Sequence, residues 1–143
     1  MQALDAAWQR RAALHGSSDT NTYRVLNRAG DGFPDLSVDR YADVLVANIY
    51  SQGAKVDPPH AVLQALAEVA GARAVYVKYR PVQASVLDAD ARRELAPSAP
   101  LLGQAVDSVS VRENGLRFVS RPCPPSRSTF SPRAAARASR RAA

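Results

Sequence analysis

Asp31, Asp35, Asp39 and Asp43 place four carboxylates around two expected turns. Grouped carboxylates can hold a hard metal ion or divide general acid and base work between them. No His or Glu joins them at ligand spacing, and Asp is in its own right a good turn former. The expectation is therefore turns, with no metal site. His15 and His60 are the only histidines. The first falls near a helix C-terminus, where a cation is favourable, and the second in a first helical turn. A serine nucleophile lacks its Gly-x-Ser-x-Gly elbow. No catalytic residue is assigned.

A second group interleaves basic and aromatic side chains: Tyr23, Arg24, Arg28, Arg40 and Tyr41. Such a mixture can contact RNA phosphates and stack on bases. The same residues can instead finish a core edge, with the tyrosines packed and Arg40 paired to a neighbouring aspartate. Arg112 and Arg117, with Lys78 and Arg80, extend a basic face if the strand order brings them to one side.

The elements that must position these groups belong to a chain of 143 residues, 46% of them apolar, enough for one ordinary core. No apolar run approaches the roughly 18–20 residues of a membrane span. No basic stretch precedes an apolar one at the N-terminus, so no secretory signal is read and a cytoplasmic home is expected. The single cysteine, Cys123, excludes an intramolecular disulfide and a Cys-rich zinc site. The formal charge of +6 invites a nucleic-acid reading. Its location matters more than its size. Six of the 19 basic residues lie within residues 121–143, which hold no acid, so residues 1–120 balance 13 basic against 13 acidic side chains.

Residues 2–15 read as a helix on Leu4, Trp8 and Ala12, with Gly16 after it. Residues 22–27 alternate as a strand, Gly30 to Pro34 is turn chemistry, and residues 36–39 form a second short strand. Residues 44–50 are apolar on both faces, the pattern of a covered central strand. A helix is expected from an Asp57 cap and Pro58 at its first position, with Val62, Leu63, Leu66, Val69 and Ala70 on one stripe and Gly71 at its end. Residues 74–79 are a strand, residues 86–95 a short helix, and residues 96–106 a connection. Residues 109–119 form a hairpin on Asn114-Gly115, a type I′ pair. That register sets Val111 opposite Phe118 and Arg112 opposite Arg117. Beyond Val119 the Pro, Arg, Ala and Ser composition cannot offset its ordering entropy, so residues 121–143 are expected to be a disordered tail. No internal repeat is visible. The fold class is α+β: a small, mixed, mainly antiparallel sheet packed by two helices, with a C-terminal hairpin, in a domain spanning residues 1–120.

The stretch Thr22-Tyr-Arg-Val-Leu-Asn-Arg-Ala-Gly-Asp-Gly-Phe-Pro-Asp-Leu-Ser-Val-Asp-Arg-Tyr41 resembles a segment of one enzyme family. The family is the SAM-dependent ribosomal-RNA (cytosine-C5) methyltransferases that join an N-terminal PUA domain, a small middle domain and a catalytic Rossmann domain. Its pattern runs approximately Tyr-Arg-Leu-x-x-Glu-Gly-Asp-x-x-Pro-Gly-Leu-x-Val-Asp-x-Tyr and lies in the middle domain. The likeness covers residues 2 to 120, through a hairpin containing Glu113-Asn114-Gly115. Two positions depart: the family's Glu is Ala29, and the Gly after Pro is Asp35.

The resemblance implies a middle domain that does no chemistry and links an RNA-binding domain to a catalytic one. It implies ribosomal RNA as the partner, and SAM as the cofactor of intact relatives but not of this chain. In the family the PUA domain would precede residue 1, and this chain is expected to lack it. Where the family continues with Gly-x-Lys-Thr-Gly-x-x-x-Asp-Gln-Arg, this chain has Arg121-Pro-Cys-Pro-Pro-Ser-Arg, and no Gly-rich loop follows. Cys123 matches no family nucleophile. A truncated or frameshifted fragment is expected, and the tail looks like out-of-frame translation of GC-rich DNA. Phe33 and Pro34, at the turn tip, are an expected contact for another domain. Two alternatives stand beside this reading: a free-standing RNA-binding module with a basic tail, and a small scaffold or oligomerisation domain.

Overall fold

The structure is a computed structural model and describes residues 1–52, 56–82, 90 and 94–122. Two short helices, α1 (Gln2–Gln9) and α2 (Ala12–His15), lead into strand β1 (Thr22–Asn27). A 3-10 turn (Arg28–Asp31), strand β2 (Leu36–Tyr41), strand β3 (Val44–Ser51) and helix α3 (His60–Ala70) follow. Strand β4 (Ala74–Pro81), a two-residue strand β5 (Leu102–Gly103) and the hairpin β6 (Val109–Glu113) and β7 (Leu116–Ser120) complete the order.

Strands β1 to β5 lie side by side in sequence order. All pairings are antiparallel except β3 with β4, which α3 connects as a crossover. The sheet is therefore mixed and mainly antiparallel, as the sequence led us to expect. Alternation along the strands gives it two different faces. One face presents Leu36, Val38, Leu45, Ala47, Ile49, Val75, Val77 and Tyr79 to Leu4 and Ala7 of α1 and to Leu63, Leu66 and Ala70 of α3. The other presents Val44, Val46, Ala74 and Tyr76 to Val106, Val109, Val111 and Phe118, so the hairpin covers it at one end. This double cover is why β3 is apolar at nearly every position. The buried Tyr76 hydroxyl accepts from the Val106 N–H at 2.7 Å, and so carries no unpaired polar atom into the packing.

The hairpin has the expected register, Val111 with Phe118 and Arg112 with Arg117. Asn114 and Gly115 both have positive φ, 50° and 80°, as the turn requires. Residues 19–21 tie the hairpin down: the Asn21 Oδ1 accepts from the Arg112 N–H at 2.6 Å, and the Asn114 N–H donates to Thr20 Oγ1 at 3.0 Å.

Two helix expectations are corrected. The predicted helix over 2–15 breaks at Arg10 and Arg11. The Arg11 N–H turns to the Trp8 carbonyl, and Arg11 Nη1 takes over the Ala7 carbonyl that a continuous helix would have used. The helix predicted from Asp57 starts instead at His60, with Pro59 as N-cap and no side-chain cap bond. Pro58 precedes a proline, which disfavours helical backbone there, and Pro59 itself sits at ψ 78°. The end at Gly71 is as expected: its φ is 63°, the Gly71 N–H donates to Glu68 O and the Ala72 N–H to Ala67 O. Cys123 and the rest of the expected tail beyond residue 122 lie outside the described residues, as does most of the helix expected over 86–95.

The sheet edges are occupied. Beyond β5, the Tyr79 N–H donates to the Leu95 carbonyl and the Leu101 N–H to the Val75 carbonyl. At the β1 edge, Arg11 Nε donates to the Arg24 carbonyl at 2.8 Å, and a bulge interrupts the register between Arg24 and Leu26.

Candidate nucleic-acid interface

Strand alternation decides where the basic and aromatic residues go. Tyr23 and Arg40 are register partners and fall on the helix-covered face. Trp8 stacks on His15 there, with ring centroids 3.6 Å apart. The His15 Nε2 donates to the Trp8 carbonyl at 2.8 Å, since a carbonyl can only accept. In the neutral ring Nδ1 then accepts from the Tyr23 hydroxyl at 2.6 Å, and the Tyr23 oxygen accepts from Arg40 Nη1 at 2.9 Å. Arg40 Nε donates to Ala42 O at 2.7 Å and Nη2 to Ala70 O, the last residue of α3, at 3.5 Å. All three guanidinium nitrogens of Arg40 are thus spent inside the fold, on carbonyls and a hydroxyl rather than on the aspartate expected as its partner.

Arg24 and Asp39, also register partners, emerge on the opposite face. Arg24 donates to Asp39 from Nε at 2.8 Å and from Nη2 at 3.3 Å. The Asp39 hydrogen bond raises the Arg24 pKa above its ordinary value, against the opposing effect of burial. Asn48 Nδ2 reaches the same carboxylate at 3.4 Å, and Arg80 Nε donates to Asn48 Oδ1 at 3.3 Å. Beside them the Arg28 guanidinium lies 4.3 Å above the Tyr50 ring, and its Nε donates to Pro34 O at 3.0 Å. Tyr41 packs against the hairpin cluster. Arg112 and Arg117 face each other on the side of the hairpin turned away from Val111 and Phe118. The seven residues singled out in the sequence therefore occupy four separate places.

The four aspartates also separate. Asp31 is buried, and it accepts from Arg10 Nη2 at 2.6 Å, Arg11 Nη2 at 2.7 Å and the Asn27 N–H at 2.6 Å. Burial alone would push its carboxyl up; the Arg11, Asn27 and Arg10 bonds outweigh this and hold it below the ordinary carboxylate range. Asp43 pairs with Arg73 at 2.8 Å on the surface, and Asp35 is exposed. Among the described residues, no three His, Cys, Asp or Glu side chains gather as ligands would. Phe33 and Pro34 line a depression of about 290 Å³ together with Leu36, Ile49, Val56 and Pro59.

Sequence reasoning missed Asn48, Tyr50 and the role of Asp31. The first two carried a signal: polar residues at alternate positions toward the C-terminal ends of β3 and β4, at Asn48, Tyr50, Lys78 and Arg80. Asp31 carried none, because its partners lie 20 and 21 residues away in sequence.

No family model matches the chain. A ribosomal RNA large subunit methyltransferase of Deinococcus radiodurans is 42% identical over 121 residues, 80% of this chain and 28% of the relative. Two solved structures share the fold. A candidate methyltransferase complexed with SAH aligns at TM-score 0.57 and 18% identity, over 84% of this chain and 28% of that one. A candidate SAM-dependent methyltransferase from Streptococcus mutans aligns at TM-score 0.56 and 19% identity, with the same coverage. Among the described residues, no helix is long and apolar enough to cross a membrane. The chain spans about a quarter of the length of the proteins it matches, and over that quarter it is related to a ribosomal RNA methyltransferase.

Proposed function

We propose that this chain is the non-catalytic middle domain of a SAM-dependent ribosomal-RNA methyltransferase, the unit that in intact relatives links a PUA domain to the catalytic domain. The observation that carries the reading is the 42% identity, over most of this chain, to a ribosomal RNA methyltransferase more than three times as long as the aligned part. Ribosomal RNA is then the partner, and a cytoplasmic location follows from that substrate. The depression at Phe33 and Pro34 is the surface we assign to contact with a neighbouring domain.

The described residues do not fit a SAM site. Nucleotide-type cofactors bind where a Gly-rich loop joins a parallel strand to a helix N-terminus that offers free N–H groups. The β3–α3–β4 crossover is the parallel unit among the described residues. The residues between β3 and α3, 52–59, include one glycine and end in Pro58-Pro59, which contribute no N–H at all. No methyl-transfer step is assigned to this chain. Calorimetric titration with SAM at millimolar concentration is expected to give no heat of binding, and a micromolar dissociation constant would refute the reading.

A second reading, a free-standing RNA-binding module, is favoured by the six arginines of residues 121–143. Full engagement of those six with a single strand would give a log–log salt slope of about −4. RNA affinity carried wholly by that segment would support the module. Affinity that depends on the folded part as well would support the domain reading.

A further inference from the structure

We propose that the half of the second sheet face beyond the hairpin is a phosphate-binding surface for RNA, built by Arg24, Arg28 and Arg80 around Tyr50. The proposal rests on the RNA-methyltransferase reading above and gives that reading its contact surface.

The first observation is an abrupt change of chemistry along one face. The hairpin-covered end consists of Val44, Val46, Ala74 and Tyr76. Further along the same strands, register pairs Ser37 with Asn48, Asn48 with Lys78 and Tyr50 with Arg80. Residues 1–120 carry no net charge, yet Arg24, Arg28, Lys78 and Arg80 gather here against Asp39, with Asp35 at the rim. The local excess is placed, not spread. A face intended only for solvent has no need of this bias, whereas a polyanion rewards it through counterion release.

The second observation is bracing. Asp39 fixes Arg24, and Asn48 joins Asp39 to Arg80, so one buried amide and one carboxylate hold two guanidinium groups in relation to each other. Both Arg28 and Arg80 are tethered through Nε. A guanidinium fixed in this way loses less freedom on meeting a phosphate than a swinging lysine does.

The third observation is strain. Arg28 sits at φ +50°, where an L-residue with a long side chain is disfavoured. Backbone strain of this kind persists only where the surrounding structure over-determines it. Here it carries the guanidinium over Tyr50, giving a cation and a ring side by side, the pair that single-stranded RNA uses for phosphate and base. Arg40, Tyr23 and Tyr41 take no part in this surface.

The test uses the full chain and a fluorescent single-stranded RNA oligonucleotide, with anisotropy titrations from 50 to 300 mM salt. The variants are Arg28→Gln with Arg80→Gln, the same pair changed to Lys, and Arg112→Gln with Arg117→Gln on the hairpin. Each phosphate that is no longer neutralised should reduce the slope by about 0.7, so the first pair is expected to lower it by about 1.4 and to weaken binding roughly 25-fold at 0.1 M salt. The Lys pair should restore most of the slope, and the hairpin pair should change little. An unchanged slope in the Gln pair, or a larger loss in the hairpin pair, overturns the surface. If the Gln pair fails to fold, arginine-selective dicarbonyl labelling of the unmodified chain decides. RNA should protect Arg24, Arg28 and Arg80; protection confined to arginines beyond residue 120 overturns the proposal. Polyglutamate competing as well as RNA at equal charge would reassign the surface to an acidic protein segment and so overturn it too. SAM titration of the same samples separates the two levels. SAM binding would defeat the middle-domain reading, while absent SAM binding with an unchanged slope would defeat the surface alone.

Discussion

Tyr23 with Arg40 and Arg28 with Tyr50 are two arginine–tyrosine partnerships on opposite faces of one small sheet. In the first, the hydroxyl, the imidazole of His15 and three guanidinium nitrogens close on one another and on backbone carbonyls. In the second, the arginine lies exposed over the ring and spends one nitrogen on a carbonyl. Side-chain type does not distinguish them. The number of nitrogens engaged does: a guanidinium whose three nitrogens all have internal partners is a brace, and one held by a single nitrogen remains a surface that can bind.

That contrast can be broken by substitution. The largest effect is expected at the corner that supports the first partnership. Replacing Asp31 with Ala leaves Arg11 without its carboxylate and the Asn27 N–H unpaired, at a cost of about 3 kcal/mol, read as a shift in the denaturation midpoint. The pH dependence has a definite sign. The folded-state pKa of Asp31 is lowered, so its contribution is present above the ordinary value of 3.8 and is lost as pH falls through the lower folded value. Asp31→Asn should flatten that acid limb.

Next in size are Arg40→Ala and Arg24→Ala, compared directly. Arg40→Ala removes bonds to Tyr23, Ala42 and Ala70 and should destabilise by about 2 kcal/mol while leaving RNA affinity intact below the melting temperature. Arg24→Ala breaks a half-exposed ion pair and should cost less than about 1 kcal/mol, yet weaken RNA binding. The opposite pattern would show that the two faces have been assigned the wrong way round.

The smallest effect is conformational. Ala42 and Arg28 both have positive φ, 55° and 50°. Ala42→Gly should gain about 0.5 kcal/mol at no functional cost. Arg28→Gly should be close to neutral in stability, since relief of strain offsets the missing cation–π interaction, but should reduce the RNA salt slope. Equal behaviour of the two variants in RNA binding would show that strain at Arg28 serves no binding role.

Much of this architecture was legible in the residues themselves. Asn114-Gly115 fixed the hairpin register because a two-residue loop leaves no choice of pairing. The apolar run Val44 to Ala47 in β3 announced cover on both faces at that end of the strand. Local chemistry misled where a neighbour or a distant partner overrode it. Pro59 cancelled the helix start offered by Asp57 and Pro58, and Arg11, drawn toward Asp31 and the Ala7 carbonyl, broke a helix whose periodicity was sound. The basic–aromatic group was visible as a set of residue types, but its division between two faces depends on a bulge and a register that composition does not encode.

The two-residue strand β5 has a consequence for life in a crowded cell. Exposed strand edges recruit other chains, and a parallel pair such as β3–β4 would offer a long one. The segment from Leu95 to Gln104 stands guard there with backbone bonds to Tyr79, Val75 and Arg73. At Gly103 φ is 81°, and a Cβ there would run into the Arg73 carbonyl. A single added methyl group at that point would lift the guard from the edge. Gly103→Ala should therefore show itself first as turbidity and light scattering at high protein concentration, a failure of solitude rather than of recognition.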